Sequence, residues 1–62
     1  MTENELKVKA LMIGRQLERL NWYDMSAAQA DKWCQDKARE RGATDPEAQA
    51  IALMALHYVM AG

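Results

Sequence analysis

The chain predicts an all-α fold, a small bundle of three helices, and three observations carry that prediction. In the first third of the sequence apolar residues recur at helical spacing, a period that the alternation of a strand would not produce. Three boxes of the form Ser/Thr-x-x-Glu/Gln, beginning at Thr2, Ser26 and Thr44, mark three helix starts. Finally, the stretch from Pro46 to Met60 has helix length, and between Ala50 and Ala61 its only polar residue is His57. A helix that is apolar all round asks to be buried all round.

Thr2 and Glu5 form the first box, so the first helix is expected over about residues 3 to 20. Leu6, Ala10, Ile13, Leu17 and Leu20 follow at spacings of four, three, four and three and fall on one narrow face, a coiled-coil-like seam. Gly14 lies off that seam. It costs about 1 kcal/mol of helix propensity relative to Ala, and the expected return is close approach by another chain. On the opposite side Val8, Leu11 and Met12 lie among Arg15, Glu18 and Arg19. Read plainly, these are the edge of the core or scattered surface apolars, which are common. The sharper reading is a partner-binding patch of Val8, Leu11, Met12, Arg15 and Arg19, since interface centres favour that composition.

Asn21 to Ser26 breaks the period and combines turn formers with two aromatics. Ser26 with Gln29 is the second box, and Met25 with Ala30 stands at the positions of a hydrophobic staple, which predicts a second helix over about residues 27 to 41. Trp22 and Tyr23 then sit at the corner, where their expected task is to close one end of the core, with a recognition role as the second reading. The buried face of this helix reads as a thin line of Ala27, Ala30, Cys34 and Ala38, with Trp33 at its flank. Small side chains let helices approach toward the short end of the ~8 to 10 Å packing range. Lys32, Asp36 and Arg39 carry a solvated outer face, paired at i,i+4 and i,i+3.

Gly42 is placed to end that helix in the left-handed conformation. Thr44 with Glu47, and Asp45 followed by Pro46, restart a third helix over about residues 46 to 60. Two apolar faces separate on it: Ile51, Met54, Ala55 and Tyr58 on one side, Leu53, Leu56 and Met60 on the other. Ala48, Ala52, Ala55 and Val59 form a small-residue strip beside the first. One face can pack on the other two helices, in an orthogonal or an up-down bundle. The second face has no partner left within the chain, and leaving it in water would forgo roughly 1.5 to 3 kcal/mol for each large residue. Homodimerisation through Leu53, Leu56 and Met60, with part of helix one, is therefore expected to complete the bundle.

Length points the same way. A domain of this size buries only roughly 60% of the surface its unfolded chain exposes. Cys34 is the single cysteine, so no internal disulfide can form, and with the single His57 it supplies too few ligands for a structural zinc site. No metal and no cofactor are expected. Eight Lys/Arg against nine Asp/Glu give a net charge of −1, which is not the balance of a chain drawn to nucleic acid by bulk charge. The start, T-E-N-E, is followed by a short apolar run from Ala10 to Ile13, unlike a secretory signal. The C-terminal apolar stretch falls short of the ~20 residues that span a bilayer, and it lacks the cationic rim of an interfacial helix. A cytoplasmic protein without membrane contact is the expectation, in keeping with a free cysteine.

Enzymatic chemistry finds little support. There is no Gly-rich phosphate loop, no H-E-x-x-H pair and no C-x-x-C motif. Cys34 and His57 would have to meet as nucleophile and base, and a packed cysteine with a helix-borne histidine is the simpler reading. At an interface His57 would instead tune self-association with pH, which a dimer constant unchanged between about pH 5.5 and 8 would exclude. Ala38, Gly42 and Ala48 have spacings like those of a helix-turn-helix, with Lys37, Arg39 and Arg41 just before the turn. The would-be recognition helix, however, has no Lys, Arg or Asn to read base edges. Phosphate contact by Lys37, Arg39 and Arg41 remains as the alternative, blunted by the interleaved Asp36 and Glu40.

Leu20-Asn21, Asp24, Gln29-Ala30-Asp31 and Cys34 resemble the hairpin region of the plasmid-encoded RNA-binding proteins typified by Rop. That resemblance implies a homodimeric helical bundle acting on the pairing of replication-control RNAs. It covers about a quarter of the chain, needs one inserted residue, leaves a third helix unmatched and transfers no functional residue. In overall character, short, near neutral, rich in Ala and Met and without catalytic groups, the chain is similar to small accessory proteins of temperate, including lambdoid, bacteriophages. Together these readings give a non-enzymatic regulatory protein, a homodimer that docks on a host or phage protein, with nucleic-acid association through helix two as the alternative.

Overall fold

Each of the three boxes caps a helix. In the computed structural model, which describes residues 1–61, the Thr2 hydroxyl accepts from the Glu5 amide at 3.2 Å while the Glu5 carboxylate accepts from the Thr2 amide at 3.4 Å. Ser26 and Gln29 reciprocate in the same way at 3.1 and 2.9 Å, and Thr44 and Glu47 at 3.4 and 2.9 Å. The helices so started are α1 (Glu3–Glu18), α2 (Ala27–Glu40) and α3 (Asp45–Ala61), with a short 3₁₀ turn at Trp22–Asp24. No strand occurs among the described residues.

The ends are set as locally as the starts. After α2 the Gly42 amide donates to the Arg39 carbonyl at 2.9 Å and the Ala43 amide to the Ala38 carbonyl at 3.1 Å, with Gly42 at φ +90°. That is a Schellman closure, in which only glycine takes the left-handed step without penalty. Helix α1 stops at Glu18, two residues short of the expected end. Arg19 and Leu20 donate to the carbonyls of Gln16 and Leu17, three residues back rather than four. The tightened turn carries Leu20 off the seam and leaves it exposed, whereas Ala10, Ile13 and Leu17 are fully buried and Leu6 packs beside them.

Helix α3 is the centre of the fold. It packs extensively against both α1 and α2, which meet each other much less. The Cα envelope measures 31 × 20 × 14 Å, and its short dimension is that of two helix layers, an interaxial distance of about 8 to 10 Å plus a backbone radius of about 2.3 Å on either side. One side of α3 therefore covers the other two helices and its far side is the outside of the molecule.

The face that α3 buries is not quite the one its sequence suggests. Ala48, Ile51, Ala52, Ala55 and Val59 are the buried set, so the small-residue strip is the middle of the contact. Tyr58 is exposed instead of buried, Met54 is half-buried, and Leu56 turns partly inward to pack on the core. Gly14 explains the preference for small residues. A Cβ built on it would stand 3.3 Å from the Ala55 carbonyl oxygen and 3.6 Å from Val59 Cγ2, so the close approach anticipated at this glycine is made by the chain's own third helix. Two thin surfaces meet there, and burial of one large side chain is exchanged for backbone proximity.

From α2, Ala30, Cys34 and Ala38 complete a core without any buried polar or charged residue among the described ones, while Ala27 is exposed. Trp22 and Trp33 lie half-buried against its edge. Tyr23 does not join them. Its ring points outward, 70% exposed, and its hydroxyl donates to the Asn21 side-chain oxygen at 3.2 Å.

Glu47 carries a pH dependence. Its carboxylate accepts the Thr44 amide and faces the Met1 amino group at 3.0 Å. First the Thr44 backbone bond, then the bond from that amino group, then the Thr44 hydroxyl lower its pKa from 4.5 to about 2. A carboxyl held lower in the folded than in the unfolded chain contributes stability that is present above about 4.5 and is lost as pH falls toward 2. Thermal unfolding followed from pH 5 to 2 is expected to show a falling midpoint. Glu47→Gln should flatten that slope, and an unchanged slope would assign the acid sensitivity to other carboxylates.

Candidate functional site

Two exposed apolar surfaces stand out, one on α3 and one on α1. The outward ridge of α3 is made by Gln49, Leu53, His57 and Met60, at helical spacings of four, four and three. Leu53 is 71% and Met60 75% exposed, unusual values for large apolar side chains at the middle and end of a well-packed helix. A shallow apolar depression flanks the ridge on each side. Leu53, Met54, His57 and Tyr58 line one. The other lies over the opposite edge of α3, where Leu56, Val59 and Met60 meet Trp22 and Tyr23. Trp22 thus packs against the end of the core as expected, while Tyr23 extends the apolar surface of α3 instead of sealing the core. The two rings meet edge to face at 6.3 Å and 74°. Of the three residues expected to form a dimer contact, Leu53 and Met60 stand free on this ridge and Leu56 contributes only its outer part.

On α1 the capping box and seam fix which side faces out. With Ala10, Ile13, Gly14 and Leu17 inward, Val8, Leu11, Met12, Arg15 and Arg19 are all exposed, Val8 by 57%. The structure brings the five expected patch residues to one face. It also adds two that sequence reasoning did not place there. Lys9 and Arg41, the latter just past the end of α2, line a depression together with Val8, Met12, Asn4 and Glu5. No local signal in the sequence links Arg41 to α1; the way α2 crosses α1 brings it there.

The three helix-two cations consequently do not act as a unit. Arg39 is held by three neighbours: its Nε donates to Asp45 at 2.9 Å, one terminal nitrogen to Asp36 at 3.1 Å and the other to Gln35 at 3.0 Å. Lys37 pairs with Glu40 at 3.4 Å and lies 5.5 Å above the Trp33 ring. Arg41 has no carboxylate within 4.0 Å among the described residues and faces α1.

No protein-family model matches the chain, and neither a curated protein nor a solved structure matches it.

Cys34 and His57 do not share a surface. Cys34 is fully buried on α2, whereas His57 is exposed on the outer side of α3. Burial first, and the nearby Asp31 carboxylate second, push the thiol up to about 11. A thiol in that state is a packing group, since the thiolate is the nucleophile. Treated with an aromatic disulfide reagent at about pH 8, the folded protein should react only on the timescale of unfolding, and completely in denaturant; fast labelling without denaturant would show Cys34 accessible. Among the described residues no group of three or more His, Cys, Asp or Glu is disposed to hold a metal ion. Among the described residues no helix is long and apolar enough to cross a membrane.

Proposed function

We propose that this chain is a small regulatory protein without catalytic chemistry of its own, which pairs as a homodimer through α3 and docks on another protein through α1. The observation that carries the reading is the pair of exposed apolar surfaces on opposite roles of one core: a bare ridge on the central helix and a cation-rimmed patch on α1. Exposed apolar surface of that kind, contiguous and bordered by polar groups, marks interaction sites.

The α3 ridge suits a second copy. It is an i, i+4 row with a depression on either side, so two copies related by a two-fold axis can each lay a ridge in the other's groove, residue by residue in reciprocal contact. A standard interface hides about 600 Å² per partner at its smaller end, roughly a seventh of the 4202 Å² that one chain exposes. Leu53, Met60, Tyr58 and Tyr23, all exposed on or beside α3, can supply much of it.

Light scattering at micromolar concentration tests the pairing. The expected mass is twice the 7.0 kDa of one chain. A monomer at that concentration would remove the dimer from the proposal and leave α3 as a face for a different protein. The alternative, association with nucleic acid through Lys37, Arg39 and Arg41, is less well supported, because Arg39 and Lys37 are engaged with Asp36, Asp45 and Glu40.

A further inference from the structure

We propose that the outer face of α1, joined by Arg41 from the end of α2, is a seat for an acidic amphipathic helix of a partner protein. This rests on the reading of the chain as a docking protein and names the chemistry of what docks.

Val8, Leu11 and Met12 stand at i, i+3 and i+4 on the exposed side of α1, a short apolar stripe of the dimensions that a partner helix presents. Around them stand Lys9, Arg15, Arg19 and Arg41. Among the described residues none of these four has a carboxylate within 4.0 Å, and neither has Lys32 on α2, whereas Lys7, Lys37 and Arg39 each do. The chain as a whole carries a net charge of −1, yet of the five cationic side chains without a carboxylate partner among the described residues, four collect around this one apolar stripe. Two carboxylates approach the same face. Glu5 is turned to the helix start, where it accepts from the Thr2 amide and hydroxyl, and Glu18 lies on the Leu11 flank at the end of α1. The face is therefore left cationic, and its complement is an apolar stripe flanked by Asp or Glu.

The apolar centre decides between classes of partner. A phosphodiester backbone has nothing to offer Val8, Leu11 and Met12, so those side chains would be left in water or desolvated against charge. A bilayer would need a broader apolar face than three side chains provide. A helix bearing both leucines and carboxylates satisfies the stripe and the rim together.

The test uses the full-length chain, isotopically labelled, titrated with three helical peptides that share one leucine stripe and carry Glu, Gln or Lys beside it. A short DNA duplex and vesicles of anionic lipid serve as competing probes. The Glu peptide is expected to shift the amides of Val8, Lys9, Met12 and Arg41 and to bind at least about tenfold more tightly than the Gln peptide, with the difference shrinking as salt is raised. Arg15→Glu combined with Arg41→Glu should abolish that preference, and Arg15→Gln with Arg41→Gln should reduce it while the helical circular dichroism stays unchanged. Equal binding of Glu and Gln peptides at this face would overturn the acidic preference and leave docking at α1 standing. Shifts confined to Leu53 and Met60, no binding by any peptide at millimolar concentration, or tighter binding by duplex or vesicles would each overturn the seat itself. None of those outcomes would touch the dimer, which light scattering decides separately.

Discussion

Gly14→Leu is expected to cost about 3 kcal/mol of stability and to leave a large share of the chain unfolded at physiological temperature. Even a bare Cβ at this position stands 3.3 Å from the Ala55 carbonyl oxygen and 3.7 Å from Ala55 Cα, and both are backbone atoms that cannot swing away. The further carbons of a leucine would have to part α1 from α3, and α3 is the helix on which both others depend. Gly14→Ala makes the informative control. It regains about 1 kcal/mol of helix propensity against one tight contact, so its net effect should lie within about 1 kcal/mol of zero. Chemical denaturation of the two variants beside the parent reads both numbers. If Gly14→Leu unfolds at the same denaturant concentration as the parent, the crossing at Gly14 is looser than described.

Leu53→Glu is expected to separate association from folding. In the single chain Leu53 is 71% exposed, and Glu is as good a helix former as Leu to within a few tenths of a kcal/mol, so the monomer should unfold within about 0.5 kcal/mol of the parent. In the proposed two-fold pair the substitution enters the seam twice and puts two carboxylates where apolar side chains meet. A loss of about 3 kcal/mol, more than a hundredfold in the dimer constant, follows. Sedimentation or light scattering across a concentration series measures it. A Leu53→Glu chain that still associates like the parent would place the seam elsewhere. Thermal unfolding distinguishes a true monomer from a collapsed fold.

Much of this architecture could be read in the chain before any coordinates. The three capping boxes lie within four residues each, and the Gly42 closure within six, so their energetics are local and the sequence states them directly. The α1 seam was legible for the same reason, through Ala10, Ile13 and Leu17, and so was the exposed patch that is its complement around the helix. The start and end of α3 were legible too, but not fully which of its sides is inward. An apolar helix has almost no amphipathic contrast, and without contrast periodicity cannot say which side is inward. Tyr58 was expected inside and Leu56 outside, and in the structure Leu56 packs on the core while Tyr58 faces water.

By itself, then, the sequence determined the number of helices, their ends within two residues and the inner face of α1, because hydrogen bonds and side-chain spacing over a turn or two carry that information. The tertiary structure alone decided that Gly14 admits α3 rather than a second chain, that the strip of Ala48, Ala52, Ala55 and Val59 is the buried centre, that Tyr23 joins the α3 surface, and that Arg41 leaves its helix-two neighbours for the α1 patch. Each of these depends on how helices cross, and a crossing is fixed by the fit of two whole surfaces, which no short stretch of residues contains.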